Sequence, residues 1–165
     1  MPEKATVERA RKAKRQGKSP STQAGAFVRE EIHHIREGKH GARSTEQAIA
    51  IGLSKARRAG VKLPVPRKGT VSEATRESAA KAAKAGRRAT TRKPSAKRAR
   101  AARKKLKRET RSAASKQSLA RHARAVARKR GPAKRSAAAK KAARTKGAAG
   151  RKQAARKAAR TRARK

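Results

Sequence analysis

A chain of 165 residues with 53 Lys and Arg against 9 acidic residues, all Glu, has a formal net charge of +44. Self-repulsion at that density opposes compaction, so the chain is expected to work beside a polyanion, with nucleic acid as the first candidate. A single aromatic residue, Phe27, and the absence of Cys, Trp and Tyr exclude a large packed core, disulfides and thiolate metal sites. No apolar run approaches the roughly 18 residues that cross a bilayer, and the opening MPEKATVERARK has no apolar signal-peptide core, so an intracellular, unanchored protein is expected.

The charge divides the chain. Residues 1–66 hold 15 basic and 6 acidic residues, net +9, whereas residues 67–165 hold 38 and 3, net +35. A small helical domain is therefore expected over 1–66, and a low-complexity Lys/Arg/Ala-rich tail that does not fold alone over 67–165.

Residues 2–18 read as a short, solvated amphiphile that frays, with Val7, Ala10 and Lys14 on one side, Glu8 four residues before Lys12, and Gly17 as the stop. Ser19 followed by Pro20 has the form of an N-cap with Pro in the first helical position. The stripe Ala24, Val28, Ile32 and Ile35, with Phe27 beside it, predicts a helix over 20–37. The connection GKHGARS is short enough to fold the next helix back as an antiparallel hairpin.

Ser44 with Gln47 is a capping-box pattern that predicts a helix over 45–59. Ala48, Ile49, Gly52, Leu53 and Ala56 share one face of it, and the small residues among them admit a partner helix closely. Lys55, Arg57 and Arg58 gather in its last turn, facing outward, before Gly60 and Pro64 end it. The expected core pairs Val28, Ile32 and Ile35 with Ile49, Leu53 and Ala56, with the extended VKLPVP segment over the open side. The fold class is small all-α, a helical hairpin followed by a largely disordered or conditionally helical basic tail.

The stretch KSPSTQAGAFVREEIHHIREGKHGARSTEQAIAIGLSKARRAGVKLP resembles the core of a family of short, basic bacterial proteins of unknown function, most recognisably in QAIAIGLSKARRAG. The resemblance spans roughly residues 1–66. It implies a bacterial cytoplasmic protein without enzymatic activity and assigns no ligand.

From Arg67 the alphabet narrows to Ala, Lys, Arg, Ser, Thr and Gly. Thr70 with Glu73 forms a second capping-box pattern, predicting a helix over 71–85 that ends before Gly86. Residues 95–130 form an Ala/Arg-rich stretch with Leu106, Leu119 and Val126 as its large aliphatics, closed by Gly131 and Pro132. Residues 133–146 and 151–165 are degenerate KAA-type repeats around a break at 147–150. Alanine favours helix here, repeated like charges at three- and four-residue spacing oppose it, and bound phosphates remove the opposition. In composition this half resembles the tails of linker histones and of bacterial histone H1-like proteins, though it lacks recurrent Ser-Pro-Lys-Lys units.

Catalytic and cofactor-binding residues are not expected. No Asp or Cys is available for a hydrolytic triad, and no phosphate-binding glycine loop follows a strand. His33, His34 and His40 read as surface or hairpin-edge residues rather than metal ligands, because adjacent helical positions point about 100° apart. Glu30 and Glu31, also adjacent, are expected to pair with nearby bases. The expected phosphate contacts are Lys55, Arg57, Arg58, Lys62, Arg87 and Arg88, then Lys97, Arg98, Arg100, Arg103, Lys104, Lys105, Lys107 and Arg108, then Arg128, Lys129 and Arg130. With one aromatic residue and many mobile cations, backbone binding outweighs base reading. The expectation is a nucleoid-associated, histone H1-like protein that condenses duplex DNA. The alternatives are an RNA- or ribosome-associated protein, and an adaptor whose hairpin docks a DNA-maintenance protein.

Overall fold

In the computed structural model, which describes residues 2–87 and 95–163, glycine ends the first three helices by the same device. These are α1 (Lys4–Arg15), α2 (Pro20–Arg36) and α3 (Thr45–Arg58). Gly17, Gly38 and Gly60 each take a positive φ just beyond the helix. At α3, the Gly60 N–H donates to the Arg57 carbonyl at 3.0 Å and the Val61 N–H to the Ala56 carbonyl at 3.1 Å, the paired bonds of a Schellman motif. At the helix starts, Thr22 N–H donates to Ser19 Oγ at 3.4 Å, and Gln47 N–H to Ser44 Oγ at 3.2 Å. The Gln47 side chain accepts from Arg43 N–H rather than from Ser44 itself.

The remaining described elements are α4 (Glu73–Arg87), α5 (Ala96–Arg108), a 3₁₀ turn (Ser112–Ala114) and α6 (Lys116–Ala163); no strand is present among the described residues. Of the two expectations for the tail, largely disordered or conditionally helical, the first is corrected, since α4 to α6 cover most of its described length. Two compact units form, one up to Ala120 and the other from Arg121 onward.

The first unit is built on α2 and α3. Gly52 and Val28 meet so closely that a Cβ on Gly52 would lie 2.7 Å from Val28 Cα, and Ala48 and Ala56 on the same face are fully buried. Two apolar clusters result. One joins Ala10, Ala24, Phe27 and Ala56, with Val7, Leu53, Val61 and Leu63 packed around them. The other joins Ile32, Ile35, Ala42, Ala48, Ala113 and Ala114, with Leu119 against it. Phe27 thus belongs to the centre of the core rather than beside a stripe. Val61 and Leu63 cover the first cluster as expected, but Val65 stays 37% exposed.

Three further expectations are corrected. α1 is a packed helix with Thr6 and Ala10 buried, held by the Glu3 N–H donating to Glu30 Oε2 at 3.2 Å and by Glu3 Oε1 lying 2.9 Å from His34 Nε2. α4 is capped by Ser72, whose Oγ accepts from Thr75 N–H, because the Thr70 hydroxyl is spent donating to the Arg67 carbonyl at 2.6 Å. Gly86 lies inside α4 rather than beyond it, where any Cβ would overlap the Arg57 carbonyl oxygen.

The stretch 95–130 is divided by residues 109–115, which fold into the first unit. Gly41 N–H donates to the Leu106 carbonyl at 2.8 Å and Ala42 N–H to the Thr110 carbonyl at 3.0 Å. Thr45 Oγ1 then donates to the Ala113 carbonyl, and Arg36 Nε to the Ala114 carbonyl, each at 2.8 Å. Ala113 and Ala114 are thereby buried beside Ile32 and Ile35.

Candidate nucleic-acid interface

Helix α5 concentrates the charge of the first unit. Its sequence AKRARAARKKLKR carries eight Lys and Arg and no acid, and all eight basic side chains are exposed. Arg100, Arg103, Lys104, Lys107 and Arg108 recur at three- and four-residue spacing, so they share one face, where they line a shallow surface depression. A helix of this length spans about 20 Å, close to the width scale of a duplex. Each like-charged pair at this spacing destabilises the free helix by a few tenths of a kcal/mol, a cost that bound anions remove.

α6 presents a second run of charge. Gly131 and Gly147 leave the helical conformation, with φ of 72° and 63°, and divide α6 into pieces at 116–130, 132–146 and 148–163. Each piece carries six Lys and Arg and no acid. Arg128, Lys129 and Arg130 are exposed at the end of the first piece. Gly131 with Pro132, and Gly147, stand where the sequence places its breaks.

The basic turn at the end of α3 does not face outward as a whole. Arg58 and Lys62 are exposed, and so is Arg87 at the end of α4; Arg88 lies outside the described residues. Arg57 is folded inward, 8% exposed, with Nη2 donating to the Pro64 carbonyl at 3.1 Å, and burial lowers its pKa. Lys55 also turns inward and forms ion pairs with Glu31 Oε2 and, at 3.7 Å, with Glu30 Oε1. Both residues hold the fold together and are removed from the outer surface.

Those pairs belong to an ionic centre where α2, α3, the α2–α3 connection and the start of α1 meet. Glu31 is fully buried, and Glu30 is nearly so. His40 Nε2 lies 3.2 Å from Glu31 Oε1, while its Nδ1 is 3.0 Å from the Gly41 carbonyl oxygen. The hydrogen bond from His34 holds the Glu3 carboxyl below its ordinary value, and Lys39 adds to the effect. Glu37 is lowered by its bond to Lys39, which is raised in turn. His33 is exposed, whereas a ring nitrogen of His34, a ring nitrogen of His40 and a carboxylate oxygen of Glu31 lie within 4.8 Å of one another. Adjacency of His33 and His34 hid this grouping. The signal that reveals it is the three-residue step from Glu31 to His34, which puts both on one face of α2.

Residues 4–69 match the sequence model of a family of unknown function (DUF6496). The match takes in α1, α2 and α3 and ends at Gly69, before α4 and before the core residues Ala113 and Ala114. It agrees with the resemblance to a family of unknown function. No curated protein and no solved structure matches the chain. No helix among the described residues is long and apolar enough to cross a membrane.

Proposed function

We propose that this protein binds duplex DNA through its phosphates without marked sequence preference and condenses it, as a histone H1-like protein of the bacterial nucleoid. The observation that carries this reading is α5, eight exposed cations on 13 residues with no acid among them, in a chain of net charge +44. A helix so charged gains stability wherever phosphates stand along it, and releasing the counterions of the duplex drives the association. α6 extends the same chemistry in three segments of equal charge. In this reading α2 and α3 act as a hairpin that orients α5, and the stretch from Arg121 works as an H1-like tail in the cytoplasm.

Affinity of the full chain for two unrelated duplexes and for a structured RNA, measured across a salt series, tests the proposal. Equal affinity for the two duplexes, exceeding that for RNA at matched salt, is the expected result. A clear preference for the RNA would replace duplex DNA with RNA as the partner. Strong preference for one duplex would replace phosphate binding with base reading.

A further inference from the structure

The contact between His40 Nε2 and Glu31 Oε1, at 3.2 Å, is completed either by a second proton on the imidazole or by a metal ion. A carbonyl oxygen only accepts, so the 3.0 Å contact to Gly41 places the His40 proton on Nδ1. In the neutral ring, Nε2 then presents a lone pair to Glu31 Oε1 at 3.2 Å. Two acceptors facing each other at that distance need a cation between them, either a second proton or a metal. Glu31 is fully buried, and neither of its carboxylate oxygens receives a hydrogen bond among the described residues; Lys55 reaches Oε2 by ion pairing.

The surroundings favour the metal. A third donor, the ring of His34, is within 4.8 Å of both other ligand atoms and stands nearly perpendicular to the His40 ring, at 82°. Ligands bound to zinc at about 2.0–2.1 Å on a tetrahedron stand about 3.3 Å apart, which matches the separation of His40 from Glu31. His40 has the outer partner that ligating histidines use to fix tautomer and orientation, the Gly41 carbonyl at Nδ1, and Glu3 holds Nε2 of His34, which leaves Nδ1 as its ligand atom. Four of the nine carboxylates, those of Glu3, Glu30, Glu31 and Glu37, gather here against Lys39 and Lys55, making this a local acidic centre in a very basic chain.

We propose that Glu31, His34 and His40 form a binding site for a first-row transition-metal dication of the Zn²⁺ type, with one coordination position open to water. Two imidazoles and a carboxylate suit zinc or its neighbours and disfavour Mg²⁺ and Ca²⁺, which take oxygen ligands. Glu31 and His34 come from α2, and His40 from the connection whose next residue, Gly41, bonds to Leu106 at the end of α5. The ion therefore fixes, against α2, the loop to which the end of α5 is hydrogen-bonded.

The test is a Zn²⁺ titration of the full chain, freed of nucleic acid by nuclease and high salt, against a chromophoric chelator. One equivalent should bind saturably, unaffected by millimolar Mg²⁺. His40→Ala and His34→Ala should each weaken binding at least about tenfold, whereas His33→Ala should leave it unchanged. X-ray absorption of the wild-type zinc complex gives a readout independent of any variant's folding. A shell of two imidazole nitrogens and a carboxylate oxygen is expected. Absence of a saturable site in the wild-type chain, equal affinity in the His40→Ala chain, or a shell without imidazole would overturn the assignment and leave a protonated His40 as the partner of Glu31.

Discussion

Two glycines of the helical pair show how the same residue type answers to opposite demands. Gly25 lies in α2 with open space around its Cα, while Gly52 in α3 is pressed against the Val28 backbone. Gly25→Ala should stabilise the fold by about 0.5–1 kcal/mol by restricting the unfolded chain and improving helix propensity. Gly52→Ala gains the same propensity but forces α2 and α3 apart, so a net loss of about 1–3 kcal/mol is expected. Denaturant unfolding followed by circular dichroism checks both, and equal effects would remove the close contact from the account.

A third residue, Glu3, gives a pH signature. Its carboxyl is depressed below the ordinary value of 4.5 chiefly by the hydrogen bond from His34. A depressed carboxyl stabilises the fold above that value, and the contribution disappears as pH falls through the lowered folded-state pKa. Wild type should therefore melt above Glu3→Gln at pH 6, and the two should converge as the pH falls below the lowered folded-state pKa of Glu3. A gap that does not narrow as the pH falls would mean that Glu3 acts through packing instead.

At the scale of elements, the decisive piece is the short segment between α5 and α6. Ala113 and Ala114 are 5% and 0% exposed in a cluster with Ile32 and Ile35, and their carbonyls accept from Thr45 and Arg36. Ala114→Asp would bury a carboxylate without a designed partner, so a loss of about 3–5 kcal/mol is expected. Ala101→Asp, on exposed α5, should change stability by no more than about 0.5 kcal/mol. Thermal melting of the fragment 2–120 distinguishes the two, and equal melting temperatures would show that the segment does not belong to the core. α5 itself carries unrelieved like-charge pairs. Its helicity should rise on adding sulfate or duplex DNA, whereas substitution of its eight cations by Gln should abolish that response.

For the whole molecule, the question is how many phosphates are engaged at once. With 38 basic residues beyond residue 66, and not all able to reach one duplex, roughly 10–20 contacts are expected, giving a slope of log K against log salt on the order of −9 to −18. Replacing Lys97, Arg98, Arg100, Arg103, Lys104, Lys105, Lys107 and Arg108 with Gln should reduce the slope by several units and weaken all duplex sequences about equally. It should also raise the protein concentration needed to aggregate DNA. A wild-type slope near −2 would mean that a few specific contacts dominate.

The sequence by itself determined the ends of α1, α2 and α3, because caps and stops are local. Ser19, Ser44, Gly17, Gly38 and Gly60 act on backbone groups a few residues away. It also determined the small-residue face of α3 and the breaks at Gly131 and Gly147, since periodicity and glycine both register within one or two turns. Tertiary structure alone decided which of many similar alanines is buried. Ala113 and Ala114 are joined to the core by bonds spanning 68 and 78 residues, and low-complexity surroundings give no periodic signal of that distance. It likewise decided that Lys55 and Arg57 turn inward while Arg58 does not. A cation takes the orientation that a buried carboxylate or carbonyl offers, and those partners, Glu31 and Pro64, are placed by how the chain folds back on itself.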